Sequence, residues 1–236
     1  MNAFAANGDG TVSDAATGLV WSQADSGVGM NWPAALDYCE ALSLGGSDAW
    51  RLPSVKELQS IVDYSRSPDA TGSAAIDPLF GATPITNEGG QPDFAHYWSS
   101  TTHIGGVEPV QDAAYVAVGR ALGNMEQFGG WIDVHGAGAQ RSDPKISVSA
   151  NQADGFGPQG DARRADNFAR CVRGGDVIRV AGDDPSTLTL PIATAGPPSD
   201  AGTGEGGQGQ PPNQGGNGQA GPPQEAIIAC VGQAEG

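Results

Sequence analysis

The composition of residues 196–223 limits how much of this chain can pack into a core, because the stretch reads GPPSDAGTGEGGQGQPPNQGGNGQAGPP. Almost none of its residues can bury apolar surface, so burial cannot offset the entropy of ordering them. Its glycines do not fall at every third position, which excludes a collagen triple helix. We therefore predict a folded domain over residues 1–175, a flexible and disordered Gly/Pro/Gln-rich linker over residues 176–222, and a short C-terminal segment over residues 223–236.

The charge of the chain excludes several classes of partner. The formal net charge is -16, and the 11 lysines and arginines form no basic run. Such a surface repels nucleic-acid backbones and anionic lipids. No window approaches the roughly 20 consecutive apolar residues of a membrane-spanning helix, and the opening MNAFAANGDG has neither the basic nor the apolar region of a signal peptide. We expect a soluble protein whose leader has been removed, with no nucleic-acid partner and no membrane insertion.

The three cysteines indicate an oxidising compartment. None of them forms a C-x-x-C pair, which argues against a structural zinc site or a thioredoxin-like redox role. One disulfide plus one spare thiol is the simplest arrangement, and a disulfide together with few lysines indicates an extracellular or cell-surface location. Cys230 lies in the segment 223–236, which we interpret as the start of a truncated unit whose partner cysteine lies beyond the end of the chain.

Turn and capping residues predict a β-hairpin and two helices early in the chain. Residues 7–21 contain two turn segments and two short extended runs, which is typical of a hairpin. Asn31 can cap a helix whose buried stripe includes Cys39. Ser54 and Glu57 form an S-x-x-E capping box, which predicts the start of a second helix.

The remainder of the folded part is predicted to consist of irregular connections and short strands. Asp48 and Arg51 are interpreted as an ion pair that braces the loop around Trp50. Residues 68–91 are rich in Pro, Gly, Ala and Asp, which predicts a long irregular connection with one helical turn near residues 77–80. Aromatic and β-branched runs predict strands in the segments HYWSSTT, AAYVAVG, WIDVHG and FARCVRG. The predicted fold class is α+β, with two helices packed on a mostly antiparallel sheet.

Six segments, taken in order, closely resemble the Lcl C-terminal domain family: NGDGTVSDAATGLVW, NWPAALDYCEAL, WRLPSVKELQSIVD, IDPLF, YWSSTT and RCVRGG. The resemblance covers residues 7–175. The family comprises domains of unassigned function in secreted bacterial proteins and was first described at the end of a collagen-like adhesin. It is similar to C-type lectins and to formylglycine-generating enzymes. The resemblance therefore implies a C-type lectin-like fold, in which two helices pack on a twisted, mostly antiparallel sheet with long loops.

The same resemblance bears on the cysteines and on catalysis. In C-type lectins a cysteine of the first helix bonds a cysteine of the last strand, and Cys39 and Cys171 stand at the corresponding places. The resemblance thus implies a Cys39–Cys171 disulfide, with two buried free thiols as the alternative. Formylglycine-generating oxidases bind copper through a cysteine pair, which a disulfide would consume. Because His96, His103 and His135 lie in no recognisable nucleophile motif, we expect no catalytic residues and no enzymatic activity.

C-type lectin-like domains present their ligands from long loops, which correspond here to residues 119–130 and 136–167. The candidate ligand-binding residues in and near these loops are Asp133, His135, Arg141, Asp143, Asp161 and Arg163. Oxygen-rich loops of this kind could coordinate Ca2+, although the Gln-Pro-Asp triplet at residues 91–93 lies outside them. The alternative is a self-braced surface, held by pairing of three arginines with three aspartates: Arg141, Arg163 and Arg164 with Asp143, Asp161 and Asp166.

Together these observations predict a secreted or cell-surface binding and adhesion module, without catalysis, that recognises a glycan or an extracellular protein. The alternative is a structural subunit of an extracellular assembly whose tail docks on a neighbour, and a third hypothesis is an enzyme related to the formylglycine-generating group. The resemblance also implies sulfated polysaccharides as ligands. A net charge of -16 opposes such ligands unless arginines cluster, and the charge argument outweighs the resemblance on this point.

Overall fold

The computed structural model describes residues 3–104, 111–148 and 155–175. This part of the chain is an α+β structure of short helices and antiparallel sheets, as the sequence predicts. No helix within it combines the length and the apolar character needed to cross a membrane. The predicted linker, the segment 223–236 and Cys230 lie outside the described residues, so a role for the tail in assembly stays a prediction.

The first sheet joins the beginning and the end of the described chain. Its strands pair antiparallel in the order β1-β2-β3-β11. They are Phe4–Ala6 (β1), Thr11–Asp14 (β2), Leu19–Ser22 (β3) and Val172–Gly174 (β11). β2 and β3 are the predicted hairpin, which is confirmed. In the turn before β2, Asp9 accepts hydrogen bonds from the backbone N–H and the hydroxyl of Thr11, at 3.1 and 2.6 Å.

Side-chain caps fix where the two longer helices begin. The helices are Trp32–Glu40 (α1), Val55–Ser60 (α2) and Pro68–Thr71 (α3). Asn31 accepts a hydrogen bond from Ala34 N at 3.1 Å and caps α1. Ser54 and Glu57 form the capping box of α2, so both predicted caps are confirmed. The short α3 lies in the connection that was predicted to be irregular.

The predicted ion pair between Asp48 and Arg51 is wrong, because Arg51 pairs with Glu57. Its two hydrogen bonds run from Nη1 to Oε2 at 2.8 Å and from Nη2 to Oε1 at 2.6 Å. The same carboxylate accepts a bond from the backbone N–H of Ser54 at 2.7 Å. Burial alone would raise the pKa of Glu57, but the hydrogen bonds from Arg51 and Ser54 lower it below its usual value. Glu57 therefore ties the start of α2 to the loop before it.

The second sheet has β7 at its centre, in the antiparallel order β10-β7-β6. Its strands are His96–His103 (β6), Asp112–Ala117 (β7) and Gln140–Pro144 (β10). β6 and β7 confirm the strands predicted for HYWSSTT and AAYVAVG. β10 lies inside the segment 136–167, which was predicted to be a loop, and it pairs with β7 from Gln140 opposite Val116 to Pro144 opposite Asp112. This pairing converts part of the loop into a rigid edge strand.

Two antiparallel ribbons complete the strand content of the described residues. They pair Pro84–Thr86 (β4) with Pro92–Phe94 (β5), and Leu122–Met125 (β8) with Gly130–Asp133 (β9), and the 3-10 helix Glu126–Phe128 joins β8 to β9. β9 confirms the strand predicted for WIDVHG, whereas FARCVRG is a strand only in its last three residues. The helical turn predicted near residues 77–80 is a hydrogen-bonded turn instead, closed by Phe80 N and Asp77 O at 3.0 Å.

A buried disulfide joins α1 to the residue that precedes β11. Cys39 and Cys171 are bonded across a sequence separation of 132, with their Cα atoms 5.4 Å apart, which confirms the pairing that the resemblance implies. Both residues are 0% exposed and pack in one core cluster with Trp50, Trp98 and Tyr115. The disulfide therefore fixes α1 against the end of the domain from inside the core.

Arg170 is a buried arginine that the sequence analysis did not single out. It is 0% exposed, and its guanidinium donates to the carbonyls of Ser22 and Gln23, both at 2.8 Å, and to the carbonyl of Gly81. It also donates to the hydroxyl of Tyr97 at 3.0 Å. A single cation thus satisfies backbone carbonyls from two separate segments and holds them against the start of the last strand.

Candidate functional site

A cleft of about 360 Å³ lies beside the second sheet. Strands β7 and β10 contribute one side of its lining, and the segment 156–163 contributes the other. Its charged, amide and aromatic lining residues include Asp112, Gln140, Arg141, Phe156, Asp161 and Arg163. The exposed ring of His103 at the end of β6 also lines it. The volume is near the lower end of the roughly 300–1,000 Å³ that is typical of small-ligand sites.

The segment that carries Asp161 is held in place by close backbone contacts with β8. Asn124 N donates to Gly160 O at 2.7 Å, and Ala162 N donates to Leu122 O at 2.9 Å. Gly160 has φ +60°, and a Cβ added there would lie 2.2 Å from the carbonyl oxygen of Asn124. Only glycine fits this position, so Gly160 lets the segment approach β8 and directs Asp161 towards the cleft.

Asp161 is the centre of the charged network. Its Oδ1 lies 2.7 Å from His135 Nε2, and its Oδ2 contacts Nη2 of Arg141. Partial burial and the charge of Arg141 lower the pKa of His135 below its usual value, against the opposing charge of Asp133. A neutral ring with its proton on Nε2 donates the observed hydrogen bond. Asp161 therefore anchors β10 and the chain after β9 to the segment 155–161.

Arg163 forms the other charged pair of the cleft. Its Nη2 lies 2.6 Å from Oδ2 of Asp112, and its guanidinium carbon lies 4.6 Å from the centre of the Phe156 ring. The side chain of Arg163 is 8% exposed, whereas Phe156 is 46% exposed. The arginine is held by an ion pair and a cation–π contact, and the aromatic ring beside it remains accessible to a ligand.

Two of the six predicted ligand residues brace the structure outside the cleft lining. Asp133 Oδ1 accepts hydrogen bonds from the backbone N–H groups of Ala121 and Gly136, at 3.0 and 2.9 Å. Asp143 is fully buried and accepts a bond from Asn167 Nδ2 at 2.9 Å. Burial raises the pKa of Asp143 to about 7, although its hydrogen bonds and the nearby arginine charges oppose the shift.

The six predicted residues therefore separate into three groups. Arg141, Asp161 and Arg163 line the cleft, His135 contacts Asp161 beside it, and Asp133 and Asp143 hold the backbone around it. Asp112, Gln140 and Phe156 also line the cleft, and they were not among the predicted ligand residues. The one sequence feature that could have identified Phe156 is its place as an aromatic residue in the glycine-rich stretch DGFGPQG.

The alternative prediction, a self-braced surface, is present in part. Arg141 pairs with Asp161 as that alternative requires. Arg163 pairs with Asp112, however, and Arg164 pairs with Glu88 through two bonds of 2.6 and 2.5 Å. The partners of Arg163 and Arg164 therefore come from β7 and from the connection before β5. The Arg141–Asp161 and Arg163–Asp112 pairs also line the cleft.

The described ranges contain no group of three or more His, Cys, Asp or Glu side chains placed to hold a metal ion. The carboxylates predicted as Ca2+ ligands accept hydrogen bonds from arginine, amide and backbone groups, as described above for Asp133, Asp143 and Asp161.

Comparison with known proteins identifies one family. A family model described as Lcl C-terminal domain matches residues 10–135, a range that includes the hairpin, both capped helices and strands β4 to β9. No curated protein and no solved structure gives a significant match to the chain.

Proposed function

Because the chain belongs to the Lcl C-terminal domain family, we propose that it is a secreted or cell-surface binding and adhesion module that takes a glycan in the cleft between β10 and the segment 156–163. The observation that carries the proposal is the composition of this cleft. Guanidinium, carboxylate and amide groups from Arg141, Asp161 and Gln140 stand beside the accessible ring of Phe156. Planar polar groups bind hydroxyls in pairs, and an aromatic ring packs against the apolar face of a sugar.

The proposal includes a C-type lectin-like architecture for the domain. Three features support it: a helix cysteine bonded to the residue before β11, a first sheet that contains both the hairpin and β11, and a long connection between β10 and β11. In this arrangement a rigid scaffold carries the ligand-binding segments, which is a common division of roles between core and loops.

Binding without catalysis is the activity that the side-chain contacts favour. Each carboxylate of the cleft is paired with a guanidinium, Asp112 with Arg163 and Asp161 with Arg141. Each of these carboxylates is occupied by a charged hydrogen-bond partner and is not held as a free acid or base beside a ligand. Cys39 and Cys171 are bonded to each other and are not available as copper ligands or nucleophiles.

A location outside the cytoplasm is supported by the same disulfide. Disulfides persist in secreted and cell-surface proteins and are rare in the reducing cytosol. Because Cys39 and Cys171 are both fully buried, their bond is a structural one that the protein would need to form as it folds in an oxidising compartment.

The experiment that tests the proposal is glycan-array binding of the full chain, compared with two phenylalanine variants. Phe156→Ala removes the aromatic side of the cleft, and Phe128→Ala removes an exposed phenylalanine of the 3-10 helix, which does not line the cleft. We expect Phe156→Ala to weaken binding at least about tenfold and Phe128→Ala to bind as the unaltered chain does. Absence of binding to any saccharide, or equal loss in both variants, would contradict the proposal.

A further inference from the structure

We infer that the glycan bound in this cleft is uncharged, so that the site selects neutral sugar hydroxyls and discriminates against sulfated or carboxylated saccharides. The inference rests on the proposed function and adds the class of ligand. It follows from the ion pairs that the two arginines of the cleft form. Both of them already face a carboxylate of the same cleft.

The cleft carries matched numbers of acidic and basic side chains. Asp112 and Asp161 supply the carboxylates, and Arg141 and Arg163 supply the guanidinium groups. The nearest lysine in sequence, Lys145, has its Nζ 2.8 Å from the Thr102 hydroxyl and 4.2 Å from the centre of the Trp32 ring. Among the described lining residues an anionic ligand therefore finds no surplus of arginine over carboxylate. The chain as a whole carries -16, which lowers the local concentration of anions further.

An anion could use these arginines only by competing with their present partners. The side chains of the two carboxylates are 14% exposed for Asp161 and 28% exposed for Asp112, and Arg163 is 8% exposed and stacked on Phe156. Drawing a guanidinium towards a sulfate would leave a mostly buried carboxylate without its counter-ion, close to a second negative charge. Such an unpaired buried charge is strongly unfavourable, so the ion pairs act against anionic ligands.

Hydroxyl groups can bind without disturbing either ion pair. A guanidinium has five N–H donors, and Arg141 contacts Asp161 through Nη2. A carboxylate has about four acceptor positions, so Asp112 and Asp161 can accept from hydroxyls while they remain paired. Gln140, which is exposed on the edge strand, offers both a donor and an acceptor. Each sugar hydroxyl can donate to one of these groups and accept from another.

The test compares neutral oligosaccharides with their own sulfated forms on one array, at low and at high salt, using the full chain. We expect the neutral form of the best ligand to bind at least about tenfold tighter than its sulfated form. We also expect its binding to change less than about twofold with salt, because few counter-ions are released when an uncharged ligand binds. Asp112→Asn gives a matched test, since it removes one negative charge from the cleft lining and should raise binding of the sulfated form.

The possible results separate this inference from the function on which it rests. Tighter, salt-sensitive binding of sulfated saccharides, weakened by Phe156→Ala, would overturn the inference and leave glycan binding in the cleft intact. An Asp112→Asn variant that stays folded by circular dichroism and gains nothing for the sulfated form would also count against the role of the ion pairs. Binding of neither form would overturn both the inference and the proposed function.

Discussion

Removal of the Cys39–Cys171 disulfide is expected to destabilise the domain by about 5 kcal/mol. The bond closes a loop with a sequence separation of 132, and the chain-entropy relation gives about 17 cal/mol/K for a loop of that length, or about 5 kcal/mol near 25 °C. Reduction of this bond should also be slow in the native state, because both cysteines are fully buried. The perturbation is the double variant Cys39→Ala/Cys171→Ala.

Urea denaturation followed by tryptophan fluorescence provides the assay, since the core clusters hold Trp21, Trp50 and Trp98. We expect the free energy of unfolding to fall by about 5 kcal/mol in the double variant, and the dependence on urea to steepen because the unfolded chain becomes less compact. Cys230→Ala is the matched control and should change neither quantity, since Cys230 follows the predicted linker. A loss below about 1 kcal/mol in the double variant would refute the loop-closure reasoning.

Two further predictions concern buried charged residues. Arg170→Met should lower the unfolding free energy by at least about 3 kcal/mol, because the carbonyls of Ser22, Gln23 and Gly81 lose a buried donor. Arg173→Met, three residues on, removes a contact over the Trp50 ring and should cost less than about 1 kcal/mol; equal losses in urea denaturation would contradict the role given to Arg170. Burial raises the pKa of Asp143 to about 7, above its value of roughly 4 in the unfolded chain, so its contribution to stability is complete below about pH 4 and is lost as the pH rises through about 7. The unfolding free energy of the unaltered chain should therefore fall between about pH 4 and about pH 7, and in Asp143→Asn this fall should be smaller. An unchanged pH profile would show that Asp143 is ionised throughout this range.

The parts of the fold that the sequence predicted well are those with local signals. The capping side chains of Asn31 and Ser54 each act within three residues of their own position, so the pattern alone locates the helix starts. The hairpin of β2 and β3 depends on a short turn in the same way. The disulfide is a long-range feature, and the resemblance to a known family supplied its pairing.

The parts that the sequence could not supply depend on partners distant in the chain. β10 contains Arg141, Asp143 and Pro144 and lacks a clear alternation of apolar residues, and its strand character comes from pairing with β7. Arg51 had acidic residues within reach on both sides in sequence, and the capping geometry of Glu57 decided between them. From the sequence alone Arg170 is expected at the surface. Its burial depends on hydrogen bonds to backbone carbonyls almost 150 residues earlier in the chain.

The candidate site was predictable to a similar extent. The loop that carries Arg141, Asp161 and Arg163 was recognised from its length and polarity, and these three residues line the cleft. Asp112 was not recognised, because only the pairing of β7 with β10 brings it to the same cleft. The hydrogen-bond partners of Asp133 and Asp143 show that these two residues hold the backbone and do not line the cleft. These partners cannot be identified from the sequence.

The most direct test of a cleft that binds an uncharged sugar is an NMR titration of the isotope-labelled full chain with the neutral saccharide that binds best on the array. We expect saturable shifts at the side-chain signals of Gln140 and Arg141 and at the backbone amides of Phe156 and Asp161. Shifts that instead cluster in the groove beside Tyr38 and Leu79, with those of the cleft unchanged, would contradict it.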